Sequence, residues 1–391
     1  MTNKLDSDIR VCHFVGLSGV GGVQRNFSEY MKLEIISGNE YKHTVYTLGT
    51  VDDQYQFSTN ILNILELKNL LSLIFDLISK SKIVHFYNNL TSIKVAFFLF
   101  FIPVTNLIIH ERGSAWNLPS KRGFILKFIA WKSNLIITNS TATKTLVEKK
   151  FGISNSKIKV VYNGVNTSII SKKKLLENKE TFFIGFLGRL DTPKGIHTLI
   201  SAMHNLKHEN IKLVIAGDGP LRQDLMNRAR NLNNVQFIGR VSNPHNFFNT
   251  ISLLVVPSIR EPLGNVCIEA GLYKVPVVAS YIDGIPEIID NYISGELIKP
   301  TQPVTDLGVE NSIPMPEYVV NPIDHELTQP MQIDPSELAD RILFLSKNPC
   351  KLSQYANKLH KNIINNFSIE NYRKHLNNIY LGILNCNPPK K

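Results

Sequence analysis

"TFFIGFLGRLDTPKG", residues 181–195, decides the fold. A short apolar run stops at a glycine, and a charged, glycine- and proline-punctuated turn follows. An apolar run of this length between turn signals is a buried strand. The same grammar recurs on either side. Upstream, "IRVCHFVG" (9–16), "HTVYTLG" (43–49), "KIVHFYN" (82–88), "NLIIH" (106–110), "NLIITNS" (134–140) and "IKVVYNG" (158–164) read as strands separated by helical patterns. Downstream, "IKLVIAGDG" (211–219), "VQFIG" (235–239), "SLLVVPS" (252–258) and "PVVAS" (276–280) repeat the rhythm. Strands alternating with helices imply parallel sheets covered on both faces. Two doubly wound α/β domains are the expected architecture, and ligands then bind at the carboxyl ends of their strands.

A chain of 391 residues is longer than one core usually supports, which agrees with two domains. Hydrophobic residues make up 43%, enough for folded globular units. The longest apolar run, "VAFFLFFIPV" (95–104), is half the ~20 residues that a membrane-spanning helix needs. It reads as a buried helix running into a strand. The polar start "MTNKLDSDIRV" lacks the apolar stretch of a signal peptide. Cys12, Cys267, Cys350 and Cys386 show no metal-ligand spacing and suggest reduced thiols, so a cytoplasmic location is expected. The net charge of +11 is uneven: residues 1–165 carry 19 Lys/Arg against 11 Asp/Glu. A basic half suits phosphate-rich partners. Without a nucleic-acid motif, an anionic membrane surface is favoured over nucleic acid.

Two segments break the rhythm. "NTSIISKKKLLENKE" (166–180) is polar and lysine-rich and reads as a linker. Residues 299–338 hold seven of the nineteen prolines, in a region too long for an ordinary connection. Helical patterning resumes at "PSELADRILFLSKN" (335–348) and runs to "NYRKHLNNIYLGIL" (371–384).

The chemistry lies at strand ends. "GLSGVGGVQRNFSEYM" (16–31) is a glycine-rich turn into a helix, the arrangement that presents amide N–H groups to phosphate. A dinucleotide fingerprint with glycines at 19 and 21 would need a third at 24, where Gln24 stands. A nicotinamide enzyme is therefore disfavoured, and a tight turn with no ligand is the alternative. In "GRLDTPKG" (188–195), Arg189 offers a planar fork and Lys194 a point charge, enough to neutralise a diphosphate. A solvated charged turn is the plainer reading. "EPLGNVCIEAG" (261–271) places Glu261 at a strand mouth, opens a helix near Gly264, and sets Glu269 over a turn into it. There a carboxylate can accept two hydrogen bonds from a ribose.

Taken in order, these residues resemble the retaining glycosyltransferases of the GT-B fold, specifically glycosyltransferase family 4. The pair Glu261 and Glu269, the set Gly188, Arg189, Lys194 and Gly195, and the glycines Gly21 and Gly22 followed by Arg25 all match. "VVYNGVN" (160–166) looks like the family's exit from its first domain. "IDGIPEII" (282–289) resembles its Gly-Gly-x-Pro-Glu, with Asp283 replacing the first glycine. The resemblance covers all but about 300–332.

The resemblance implies two Rossmann-like domains facing across a cleft. Residues 1–165 would form the acceptor side, 166–180 the linker, and 181–366 the nucleotide-sugar domain with an insert at 300–332. A helix in 367–391 would return to the first domain. Glu269 would bind the ribose, Glu261 would meet the transferred sugar or its phosphate, and Arg189 and Lys194 would hold the diphosphate without a metal. His110 matches a histidine that contacts the donor sugar. Gly21, Gly22, Gly217, Arg240, Val241, Gly264, Asn265 and Val266 complete the expected donor site. The donor would be a nucleotide-diphosphate sugar, UDP-linked by expectation, with no separate cofactor. The acceptor would be a glycan or lipid-linked glycan in bacterial surface polysaccharide or lipopolysaccharide synthesis. A sugar-nucleotide epimerase, another non-transferase of this fold, and a catalytically silent binding protein are the alternatives.

Two further expectations concern surfaces. "SKRGFILKFIAWKS" (120–133) alternates Lys121, Arg122, Lys127 and Lys132 with aromatic and aliphatic residues. It suits an anionic membrane surface, and an ordinary packed helix with one solvated edge is the alternative. The proline-rich insert has an apolar, β-prone centre, "MPEYVVNPIDHEL", which suggests an ordered flap near the cleft. It would contact the acceptor or close over the donor; a surface decoration or an oligomer contact is the alternative.

Overall fold

The computed structural model describes residues 10–19, 21–38, 41–55, 59–168, 181–305, 307–309 and 312–386. Most of the expected linker (169–180) lies outside them. The chain divides into two units, one of residues 1–166 with 367–391 and one of 167–366.

In the first unit the strands and helices alternate in chain order. They are β1 (Arg10–Phe14), α1 (Gly22–Ile36), β2 (Lys42–Thr47), β3 (Ile61–Asn63), α2 (Leu67–Ile78) and β4 (Lys82–Tyr87). Then come α3 (Ile93–Phe100), β5 (Leu107–Glu111), α4 (Gly123–Lys132), β6 (Leu135–Thr138), α5 (Thr141–Phe151) and β7 (Ile158–Val160). All seven strands pair in parallel in the order β3-β2-β1-β4-β5-β6-β7. The order reverses between β1 and β4, so the loops after those strands open at a topological switch point.

The second unit contains β8 (Phe182–Leu187), α6 (Ile196–Asn205), β9 (Ile211–Ala216), α7 (Arg222–Arg228), β10 (Val235–Gly239) and α8 (Pro244–Thr250). β11 (Leu253–Val256), α9 (Asn265–Leu272), β12 (Val277–Ser280) and β13 (Glu296–Ile298) complete its parallel sheet, ordered β10-β9-β8-β11-β12-β13. Here the switch point falls between β8 and β11. The insert then follows with β14 (Gln302–Pro303), β15 (Val319–Val320), β16 (Leu327–Thr328) and β17 (Met331–Gln332). β14 pairs antiparallel with β17, and β15 with β16. Helices α10 (Pro335–Ser346) and α11 (Pro349–Asn366) close the unit.

Helix α12 (Ile369–Cys386) belongs to the first unit and packs beside α1. Its Ile369, Tyr372, Leu376, Ile379, Tyr380 and Leu384 join Val11, Phe27, Tyr30 and Ile108 in that unit's core.

One expectation is corrected. "VAFFLFFIPV" is not a buried helix running into a strand. It is the outer helix α3 and the turn after it, and only Val95, Leu99 and Ile102 are buried, while Phe97, Phe100 and Phe101 are exposed. A helix laid on a sheet buries one stripe, about every third or fourth residue, whatever the composition of its other face. β3 and β13, each three residues long, are strands that no apolar run announces.

Candidate active site

The second unit's switch point is laced together by backbone hydrogen bonds between loops. The amides of Ile259 and Arg260, after β11, donate to the Pro193 carbonyl after β8, at 2.9 and 3.2 Å. A Cβ at Gly195, where φ is +63°, would sit 2.0 Å from the Pro257 carbonyl oxygen. On the other side, the Leu190 amide donates to the Asp218 carbonyl at 3.0 Å. Gly217, at φ +143°, is so close to Gly188 that a Cβ would fall 1.8 Å from the Gly188 carbonyl oxygen. Only glycine allows these approaches, so the loops after β8, β9 and β11 meet at one place.

Charged groups collect there in pairs. Lys194 Nζ donates to Glu261 Oε2 at 2.6 Å, and Ser258 Oγ donates to the same oxygen at 3.1 Å. Glu261 is buried, and its Oε1 has no hydrogen-bond partner among the described residues. Arg189, half exposed, pairs through Nε with Asp191 Oδ2 at 2.8 Å. Arg240, largely exposed, pairs with Asp218 at 3.4 Å, next to the half-buried Val241.

Helix α9 starts in the same cluster. Its N-cap, Gly264, has φ +101° and no side chain caps that end, so the positive end of the helix dipole is offered to an incoming group. Asn265 and Val266 form its half-buried first turn, and Glu269 is half-buried one turn on. Burial raises the Cys267 thiol, Glu261 and Glu269 raise it further, and Lys194 opposes them. All three charges therefore surround the start of α9.

Two carboxylates that the motif reading did not use tie this site to the insert. Asp191 Oδ1 accepts from Ser312 Oγ and from the Ile313 amide, both at 2.6 Å. Asp283, buried at φ +48°, accepts from the Glu261 amide through Oδ2 at 2.8 Å and from the Val320 amide through Oδ1 at 2.7 Å. Burial pushes the Asp283 carboxyl up to about 8, against the two amide donors and the nearby Arg260 charge. Through Ser312, Ile313 and Val320 the insert is thus hydrogen-bonded to the loops that carry Lys194 and Glu261. Replacing a glycine by Asp283 could be read from the sequence; the Val320 amide it meets could not.

The remaining candidates belong to the first unit. Gly21 is the N-cap of α1 and Gly22 its first residue. Arg112 Nη2 lies 3.5 Å from the Gly22 carbonyl and donates to Asn163 Oδ1 at 2.5 Å. His110 is fully buried on β5, stacked between the rings of His85 and Tyr372, and neither of its ring nitrogens has a hydrogen-bond partner among the described residues. Burial, with Arg112 close by, holds its pKa well below the usual histidine value, so the imidazole is neutral. Arg112 carries no sequence signal beyond following that histidine. It matters because it is a buried cation whose Nη1 has no partner among the described residues. The structure therefore groups Arg189, Lys194, Gly217, Glu261, Gly264 and Glu269 in one unit, and Gly21, Gly22 and His110 in the other.

The family Glycosyl transferases group 1 matches residues 168–307, and the family Glycosyltransferase Family 4 matches residues 51–169. An uncharacterized glycosyltransferase of Methanocaldococcus jannaschii is 32% identical over 231 residues, 54% of this chain and 59% of its own length. The capsular polysaccharide biosynthesis glycosyltransferase CapM of Staphylococcus aureus is 30% identical over 183 residues, 45% of this chain and 44% of its own. The chain thus spans about half the length of these curated relatives. Among solved structures, Anabaena HepE in complex with UDP and glucose superposes with a TM-score of 0.72. That match covers 95% of this chain and 99% of HepE at 17% identity, a likeness of fold alone.

Proposed function

Because the chain belongs to the glycosyltransferases of group 1 and family 4, with the GT-B fold, we propose that it transfers a sugar from a nucleotide-diphosphate sugar to a glycan or lipid-linked acceptor, with retention at the anomeric carbon. The observation that carries this reading is the Lys194–Glu261 pair at the β8/β11 switch point, beside the uncapped start of α9. Lys194, Arg189 and the α9 N-terminus supply positive charge for a diphosphate leaving group. Both cations are already paired with carboxylates, which holds them in place and requires the phosphate to share them. Lys194 is shared with Glu261, whose Oε2 it occupies, leaving Oε1 to accept a sugar hydroxyl. Glu269 is proposed to accept from the ribose hydroxyls.

The bond from the anomeric carbon to the donor phosphate oxygen breaks, and the acceptor hydroxyl oxygen bonds to that carbon from the same face. The hydroxyl proton passes to the departing phosphate, so no enzymatic nucleophile is needed. We take the cations to replace a metal, and UDP-linked sugars to be the donors, as the complex of HepE with UDP and glucose suggests by analogy. Capsular or related surface polysaccharide is the corresponding context, in line with CapM.

A panel of nucleotide-diphosphate sugars tests this. Donor hydrolysis and transfer are measured in excess EDTA, with anomeric configuration followed by NMR. Transfer with retention, undiminished by EDTA, is expected. Recovery of an epimerised donor, an inverted product, or a requirement for added Mn²⁺ would each overturn part of the reading.

A further inference from the structure

Among the described residues, eleven of the nineteen exposed large apolar side chains fall between Leu65 and Trp131. The connections β3–α2–β4, β4–α3–β5 and β5–α4–β6 all cross the sheet in one direction. Right-handed crossovers therefore place α2, α3 and α4 on the same face of the first unit. The opposite face takes α1 and α12.

Along α3, its C-cap Phe101 and α4 runs a continuous row of rings, all exposed except the half-buried Phe128. Phe97 packs on Phe101 (5.3 Å between ring centres), Phe101 on Phe100 (5.1 Å), Phe100 on Phe128 (6.1 Å) and Phe128 on Trp131 (6.0 Å). Phe97 and Trp131, at the two ends, are 69% and 70% exposed. Helix α2 adds Leu67, Leu71, Phe75 and Ile78, spaced on one of its sides. Most soluble surfaces avoid an apolar area this extended.

Around α3 and α4 the charge has one sign, while on α2 the exposed N-cap Glu66 pairs with Lys68 at 3.1 Å and Asp76 is buried. From Leu77 to Val147 the sequence contains a single Asp or Glu, Glu111, and it is buried. Lys94, Lys121, Arg122 and Lys127 are exposed on α3, α4 and the turn before α4. Lys132 lies 5.6 Å from the centre of the Trp131 ring. No helix among the described residues is long and apolar enough to cross a membrane.

We propose that the α2–α3–α4 face docks on the surface of an anionic lipid bilayer, with the Phe97–Trp131 row entering the headgroup–acyl boundary and the basic residues meeting lipid phosphates. Both components are needed to choose the occupant. A second copy of the chain, related by a two-fold axis, would bring these lysines against themselves. Anionic lipid takes the aromatic row and the cations together. The surface belongs to the first unit alone, so it stands or falls separately from the sugar-transfer reading.

The two tryptophans make a direct test, because Trp116 is buried and Trp131 exposed. The full chain is titrated with vesicles of phosphatidylcholine alone or with phosphatidylglycerol, following emission and pelleting. Binding to the anionic vesicles only, with a blue shift that Trp131→Phe abolishes, is expected. Phe97→Ser/Phe100→Ser should lose the blue shift. Lys121→Glu/Lys127→Glu should weaken partitioning by roughly tenfold or more, since each basic residue contributes comparably near such a surface. All four positions are exposed, and a far-UV spectrum and melting temperature confirm that each variant is folded. Absence of binding, binding unaffected by these changes, or a lipid-free dimer dissociated by Phe97→Ser would each overturn the proposal.

Discussion

Glu269 and Asp283 are both carboxylates near the start of α9, yet their surroundings give them different tasks. Glu269 is half-buried on the second turn, where its proposed partner is a ribose. Glu269→Ala should weaken donor binding by about 1.5–3 kcal/mol, the range for hydrogen bonds to a charged acceptor. Calorimetry with UDP and UDP-sugar measures this, and unchanged affinity would remove the ribose assignment. Asp283 instead faces two amide donors of the protein itself. Asp283→Asn keeps one acceptor but turns an NH₂ group toward the other amide, at a cost of about 1–3 kcal/mol. The sign of its pH dependence follows from the raised carboxyl. The folded protein holds this proton up to about pH 8, whereas an ordinary aspartate releases it near 3.8. The stability this provides is complete below the ordinary value and declines as pH rises to about 8. The margin in melting temperature between wild type and Asp283→Asn should therefore shrink from pH 4 to 8 and then level. A margin independent of pH would mean that Asp283 is already ionised at the acid end.

At the scale of elements, the insert is attached where the donor loops are. Asp191 and Asp283 each bond at once to a donor loop and to the insert, through Ser312 and Ile313 in one case and Val320 in the other. Replacing 306–329 by a short Gly/Ser bridge would keep the β14–β17 pairing while removing these three partners. Buried carboxylates that lose donors reorganise, so donor affinity should fall along with transfer. Retained donor affinity with lost transfer would instead place the insert on the acceptor side. Apart from β3 and β13, the strands of both sheets were legible in the sequence because buried parallel strands are unbroken apolar runs closed by turn residues. The positions of Arg189, Lys194 and Glu261 at strand ends, and of Glu269 inside the helix that follows, were legible from the strand–loop–helix order. The exposed face of α3 was not, since "VAFFLFFIPV" is apolar on every side and has no periodicity to mark it. The insert and loop partners of Asp191, Asp283 and Arg112 were not, because they lie 22 to 122 residues away and only the tertiary structure brings them together.

At the scale of the whole molecule, the chain leaves the first unit and its last helix comes back to it. This return is more than a surface contact. Ile369, Tyr372, Leu376, Ile379, Tyr380 and Leu384 of α12 are part of the core that includes Val11, Phe27 and Ile108. Tyr380 Oη and His85 Nδ1 are hydrogen-bonded at 2.7 Å, and Arg373 donates to the buried Glu34 at 2.6 Å. Each fully buried apolar side chain is worth about 1.5–3 kcal/mol, so six of them match or exceed the ~5–15 kcal/mol by which a domain is stable. The core of the second unit, from Ile184 to Tyr355, contains no residue of α12. Ending the chain after Asn366 should therefore unfold the first unit and leave the second with its own cooperative transition. Hydrogen exchange resolved by peptide distinguishes the outcomes: protection is expected to vanish in β1, β4 and β5 while persisting in β8, β9 and β11. Protection retained in β1 and β5 would show that the first unit closes its core without α12. Loss in both sheets would show that the two units fold as one.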